Sequence, residues 1–127
     1  MTVPQLSAPL RINPTSWNAA FRYDQAQLRP APARLLTVAG QGSLDVDGQL
    51  LHEGDMSAQM SLAMAHVEDL LARGGMDLRD VTRLVLYVTD MDAALAAYGA
   101  VTERLDAAGA TPPTTLLAVA RLPVPGM

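Results

Sequence analysis

The sequence predicts an α+β fold with two helices packed on one face of a mixed sheet, built from a split β-α-β repeat. Three observations support this. Two segments with helical spacing of apolar residues each open on Asp-Met (Asp55-Met56, Asp90-Met91) and close on glycine (Gly74-Gly75, Gly109). Each is followed by a run of strand-forming residues. No linker divides the 127 residues, so 1–127 reads as one domain. A chain of this length buries roughly two thirds of the surface its unfolded form exposes, enough to fold without disulfides or a structural metal.

The elements follow in order. Residues 1–33 are punctuated by Pro4, Pro9, Pro14, Pro30 and Pro32, which disfavours long helices and central strands. Two short strands fit, at 10–12 and 20–25. Alternation in the second puts Phe21, Tyr23 and Gln25 on one face and Arg22 and Asp24 on the other. Residues 34–40 read as a buried strand through Leu35, Leu36, Thr37, Val38 and Ala39. Asp47-Gly48 between apolar runs predicts a hairpin, since both turn positions tolerate positive φ. Asp55 then caps the first helix, whose buried face is Met56, Met60, Ala63, Met64, Val67, Leu70 and Leu71. Gly74-Gly75 stops it.

A strand over 81–89 follows, apolar on both faces: Thr82, Leu84, Leu86 and Val88 on one, Val81, Arg83, Val85 and Tyr87 on the other. Asp90 caps a second helix running from Met91 to Gly109, with Leu95, Tyr98, Val101 or Thr102, and Leu105 as its buried stripe. After Pro112-Pro113 a last strand spans 114–120. Two helices cover one side of such a sheet. The face of Val81, Val85 and Tyr87 stays bare, which predicts homo-oligomerisation.

Composition excludes several function classes. There is no cysteine, so disulfides, thiolate metal sites and a cysteine nucleophile are excluded. All nine basic residues are arginine, scattered along a chain of net charge −4, so there is no lysine to form a Schiff base. That balance and 4% aromatic residues oppose a nucleic-acid partner. The N-terminus lacks the basic flank and apolar run of a signal peptide, and no apolar stretch approaches the ~20 residues of a membrane span. No membrane association and a cytoplasmic location are therefore expected.

The standard catalytic motifs are absent. Gly40-Gln41-Gly42 lacks the third glycine of a dinucleotide fingerprint. Asp45-Val46-Asp47-Gly48 resembles the start of a calcium loop, but Met56 stands where the closing glutamate is needed. His66 and Asp69 could touch on the first helix, with no further ligand at helical spacing. Met56, Met60 and Met64 sit inside an apolar stripe and read as core. No metal and no cofactor is expected. Read from the residues alone, this is an oligomeric α+β domain with no visible catalytic constellation.

A further series points to a family. Tyr23-Asp24-Gln25, Ala39-Gly40-Gln41, Asp47-Gly48, Gly54-Asp55, Gln59, residues 85–90 (Val-Leu-Tyr-Val-Thr-Asp) and Ala120-Arg121-Leu122-Pro123 come in order. Each piece is weak alone; together they resemble the RidA/YjgF family from about Arg11 to Pro123. The resemblance implies a chorismate-mutase-like fold, homotrimers with sheets turned inward, and small-molecule pockets at the subunit interfaces. It also implies hydrolysis of reactive enamines and imines by members with complete sites. In those members an arginine on the penultimate strand grips the substrate carboxylate. A glutamate on the last strand positions water, and the early tyrosine lines the pocket.

This chain departs from that pattern. Pro112-Pro113-Thr114-Thr115 stands where the family has Pro-Ala-Arg-Ser, so Thr114 takes the arginine position. A hydroxyl lacks the bidentate, charge-assisted fork of arginine. Tyr98 stands at a family asparagine. The family's last strand, about ten residues long, would lie beyond Met127: either the natural chain continues past Met127, the favoured reading, or the domain lacks that strand. The resemblance places a ligand pocket at Tyr23, Gly40, Tyr98, Thr114 and Leu116. Strand alternation aims Arg22 away from Tyr23, so it does not replace the missing arginine. Two readings stay open: an imine or enamine deaminase of altered specificity, and a non-catalytic trimer that binds a small metabolite.

Overall fold

A computed structural model describes residues 9–127. In chain order it contains β1 (Leu10–Ile12), β2 (Ala26–Leu28), α1 (Met56–Arg73), β3 (Leu84–Val88), α2 (Met91–Ala96), α3 (Gly99–Ala108) and β4 (Thr114–Ala118). The readings made on residues 1–8 lie outside the described residues. No helix among the described residues is long and apolar enough to cross a membrane.

Local sequence explains the helices. The Asp55 carboxylate accepts from the Ala58 amide at 3.0 Å, which satisfies one of the free N–H groups that open α1. Asp90 does the same for α2, accepting from the Ala93 amide at 3.0 Å. Gly109 closes α3 at φ 65°, in the left-handed region that glycine enters without a Cβ penalty. Met60, Met64 and Leu71 of α1 are buried against Val101 and Leu105 of α3, both wholly excluded from solvent.

β3 and β4 run parallel, with Leu84 opposite Thr114 and Val88 opposite Ala118. Parallel neighbours require a long crossover, and α2 and α3 supply it. Leu84, Leu86 and Leu116 pack towards the core on the helix side. The other face carries Val85, Tyr87, Thr115 and Leu117, and Tyr87 is 54% exposed. The bare apolar face expected from the sequence is therefore present. Val81 is not part of it. A single 3-10 turn, Leu78–Asp80, precedes it, and Val81 packs against the core before the strand begins at Leu84.

Several local expectations differ from the structure. The strands divide between two small sheets: antiparallel β1–β2, with Leu10 opposite Leu28, and parallel β3–β4. Residues 34–40 have no ladder partners, and Leu35 is 82% exposed, so they form no buried strand here, although both edges of the two-stranded β3–β4 sheet are free. The strand read at 20–25 is displaced to Ala26–Leu28, because Ala19–Phe21 makes a 3-10 turn and Arg22 is left-handed at φ 58°. The second helix is interrupted at Ala97 and Tyr98. Leu95 is exposed and the buried position falls to Ala94, which is in helical register with Tyr98, Val101 and Leu105. The Asp47-Gly48 turn forms, but its anchor is Asp45, whose carboxylate accepts from the amides of Asp47 and Gln49, both at 2.9 Å. A single antiparallel bridge, Leu44 to Leu50, closes it.

The displaced turn has one main consequence. Asp24, which alternation placed on one face with Arg22, is 1% exposed, whereas Arg22 is exposed. Its carboxylate accepts from Arg11 Nε (3.0 Å to each oxygen), Asn13 Nδ2 (2.8 Å), Gln27 Nε2 (2.9 Å) and Thr111 Oγ1 (2.8 Å). Its amide donates to the Thr111 carbonyl at 3.0 Å. Asn18, also buried, donates to the Tyr23 carbonyl (2.7 Å) and to Asn13 Oδ1 (2.9 Å), and accepts from Gln25 (2.7 Å). This network clamps residues 11–27 to the loop that enters β4.

Burial opposes ionisation of Asp24, but the hydrogen bonds from Gln27, Asn13, Thr111 and Arg11 outweigh it and hold its carboxyl below the usual carboxylate range. Its contribution to stability is therefore complete above the unfolded value of about 3.9 and is lost as pH falls through the lower folded value. Asp24→Asn should lower unfolding free energy near neutral pH by about 1–3 kcal/mol, the range for disrupting a buried, charge-assisted hydrogen-bond site. The variant should also lose part of the acid-side decline. Urea unfolding at several pH values measures both, and identical stability and acid limbs would contradict the role assigned to Asp24.

Candidate functional site

Four of the five aromatic residues of this chain meet at one place, and the turn at 19–22 brings them there. Trp17 stands edge-on to Tyr23, with centroids 6.1 Å apart at 73°. Tyr23 lies 6.5 Å from Phe21 in a tilted arrangement, and Phe21 meets Tyr98 edge-on at 6.1 Å and 70°. Offset and edge-to-face contacts of this kind suit the ring quadrupoles. Tyr98 is the buried foot of the column, at the break between α2 and α3. Tyr23 is half-buried, whereas Trp17 and Phe21 are exposed.

The structure therefore brings together Tyr23 and Tyr98 of the five pocket residues read from the sequence. Thr114 and Leu116 share the helix-side face of β4 by alternation, and Leu116 packs against the core. The Thr114 hydroxyl is committed: it donates to the Pro112 carbonyl at 2.7 Å. Gly40 stands apart. Its φ is not in the left-handed region, and a Cβ built there meets no described atom within 4 Å. Sequence reasoning missed Trp17 and Phe21. The available signal was their scarcity: five aromatic residues in the chain, with Trp17 and Phe21 four apart next to Tyr23.

Charge is nearly absent from this site. Arg22 lies between Phe21 and Tyr23 in sequence, but its guanidinium pairs with Asp106 of α3 at 2.9 Å. Arg83 donates to Thr115 Oγ1 at 2.8 Å, on the opposite face of β4 from Thr114. The histidines are elsewhere. His66 meets the Leu44 carbonyl at 3.0 Å, and Asp69, which spacing allowed it to touch, pairs with Arg73 at 3.0 Å. Among the described residues, no group of three or more acidic or histidine side chains is placed to hold a metal ion.

Two concavities lie away from the aromatic column. One, of about 470 Å³, is an open groove between α1 and the α2–α3 pair, lined by Ser57, Ser61, Gly99, Ala100, Glu103 and Arg104. Arg104 there is held by Glu68 (2.9 Å) and Ser61 (3.0 Å). The other, of about 360 Å³, lies where residues 121–127 cross the N-terminal ends of α1 and α2. None of Tyr23, Gly40, Tyr98, Thr114 and Leu116 lines either one.

Comparison with known proteins gives the class. The model of the family described as endoribonuclease L-PSP matches residues 14–127. YyfB from Yersinia pestis, a protein of unknown function in the conserved Rid family, superposes with a TM-score of 0.80 over 93% of this chain and 90% of its own, at 26% identity. Rv2704 from Mycobacterium tuberculosis, of the YjgF/YER057c/UK114 family, gives 0.59 over 94% and 91%, at 24% identity. TdcF from E. coli, solved with bound serine, gives 0.61 over 81% and 84%, at 21% identity. No curated protein matches. The chain belongs to the endoribonuclease L-PSP family, the Rid/YjgF group, and has its α+β fold.

Burial lifts the Tyr98 hydroxyl above the ordinary tyrosine range, and the neighbouring Tyr23 adds to the shift. Because the folded state keeps this proton longer than the unfolded state, stability is full below about pH 10 and falls as pH rises through the folded value. An ultraviolet absorbance titration of the three tyrosines should show an ionisation above the ordinary range that vanishes in Tyr98→Phe. Superimposable titrations of the two proteins would contradict the placement of Tyr98 beside Tyr23.

Proposed function

We propose that this chain forms a homotrimer through the bare face of β3–β4. In the clefts between neighbouring chains it binds a small neutral or weakly polar metabolite against Tyr23, Gly40 and Thr114, with Tyr98 and Leu116 as apolar wall behind them. The observation behind this reading is Thr114. It stands where the family resemblance implies a carboxylate-gripping arginine, its hydroxyl is already donated to Pro112, and Arg22, beside Tyr23 in sequence, is paired with Asp106. Burying a carboxylate without a partner is costly. The trimer supplies the enclosure, and the exposed Tyr87 and Leu117 supply the apolar contact.

A second reading is favoured by Tyr23, a pocket tyrosine retained beside Tyr98 with part of its ring exposed. In that reading the same cleft hydrolyses an uncharged imine or enamine. RNA cleavage, which the family's description names, suits this chain poorly. Net charge is −4, no lysine is present, and the arginines near the site are paired.

Sedimentation equilibrium at micromolar concentration should give three times the 13.5 kDa chain mass. Tyr87→Glu, a charge placed on the bare face, should dissociate the assembly; a monomeric wild-type protein would overturn the trimer. In an ammonia-release assay with 2-imino acids generated from serine or threonine, the wild type should show negligible turnover. Thr114→Arg should raise it, because a bidentate charged contact is worth on the order of 10²-fold. Wild-type turnover matching a family member that has the arginine would sink the proposed specificity. Gly40→Val, at a position with open space around it, should block ligand binding and leave the assembly intact.

A further inference from the structure

The aromatic column has a feature that the proposed cleft does not require. Its two outer rings are exposed, Trp17 at 63% and Phe21 at 42%, yet neither sits on a loose loop. Ala19, Phe21 and Arg22 donate their amides to the carbonyls of Ser16, Asn18 and Ala19, at 3.1 to 3.2 Å. Gln25 bonds Thr15 at both its carbonyl and its hydroxyl, and the buried Asn18 ties the turn to Asn13 and to the Tyr23 backbone. The loop thus holds an indole in water where freedom would let it fold inward. A fixed, exposed aromatic ring is a preorganised contact, and preorganisation lowers the entropy lost on binding.

From the proposed ligand site at Tyr23, on which this rests, we infer the class of ligand: a small uncharged molecule bearing an aromatic ring, stacked between Trp17 and Phe21 over Tyr23. Trp17 is edge-to-face with Tyr23 and keeps most of its surface in solvent. The two exposed rings offer roughly 250 Å², from fractions of ~150–250 Å² each, well short of the ~800 Å² per partner of a stable protein interface. Patch size therefore favours a small ligand over a second chain. The charge pattern favours a neutral one: Arg22, between Phe21 and Tyr23 in sequence, is paired with Asp106, and Asp24, next to Tyr23, is buried and saturated with hydrogen bonds.

Trp17 is the sole tryptophan of the chain, so its emission reports on this site alone. Titration of the assembled protein with phenylacetamide should change that emission saturably. Isobutyramide, phenylacetate and tetramethylammonium should bind at least about tenfold more weakly, as aliphatic, anionic and cationic controls. Phe21→Leu should weaken phenylacetamide roughly threefold to tenfold, the scale of one aromatic contact. Trp17→Leu, at a position exposed enough to spare the fold, should abolish binding followed by ligand-observed NMR.

The inference is overturned if no saturable change occurs, if isobutyramide or either ion binds as well as phenylacetamide, or if both variants bind normally. Shielding of Trp17 from acrylamide in the ligand-free protein would also overturn it, since a second chain would then occupy the patch. Should binding survive Gly40→Val but fail in Trp17→Leu, the aromatic site stands and the inter-chain cleft falls. Should phenylacetamide and isobutyramide bind alike and both be lost in Gly40→Val, the cleft stands and the aromatic class falls.

Discussion

The carboxylate of Asp24 is the constraint on which the arrangement of this chain depends. Four side chains from three parts of the sequence converge on it, and one of them, Thr111, lies in the loop that enters β4. With Asn18 below it, the network fixes the turn at 19–22 and therefore the side to which Tyr23 points. Buried ionised groups survive only when their hydrogen-bonding capacity is filled. Asp24 meets that condition, and its low pKa is the electrostatic consequence. The aromatic column rests on this polar base: Tyr23 is set by the backbone around Asp24, Phe21 by the 3-10 turn, and Tyr98 by the break between α2 and α3.

The rest of the chain is arranged so that one layer is complete and another is not. α1 and α3 bury a continuous core against one face of β3–β4. The opposite face, residues 34–37 and the surroundings of Gly40 are open. These open regions include the positions that the family resemblance assigns to subunit contact and ligand enclosure. Family membership accounts for the fold; the ligand class proposed above rests on Thr114, Trp17 and Phe21.

The sequence made legible what local rules govern. The Asp55 and Asp90 caps, the glycine stops and the strand after each helix all follow from side chains within a few residues of the element they define. What long-range contacts decide was not legible. Asp24 is buried because Arg11, Asn13, Gln27 and Thr111 reach it, and no period-two pattern encodes that. The shift of a strand from 20–25 to Ala26–Leu28 follows from a left-handed Arg22, whose side chain reaches Asp106 far along the chain. The buried strand expected at 34–40 rested on apolar composition alone, and composition does not say which chain supplies the cover. Of the site, Tyr23 and Tyr98 were named from resemblance and each stands against Phe21, while Trp17 and Phe21 were passed over because the turn that gathers them was read as a strand.

The central claim is that one polar clamp sets both the aromatic site and the entry to β4. Amide hydrogen exchange of the wild type and Asp24→Asn, resolved by residue, tests it most directly. The amide of Asp24, bonded to Thr111, and that of Gln25, bonded to Asn13, should exchange together and slowly in the wild type. In the variant, protection should fall across 13–25 and 109–113 at once while α1 stays protected. Loss of protection confined to residue 24 and its neighbours, with the turn at 19–22 and the β4 entry unchanged, would contradict the account.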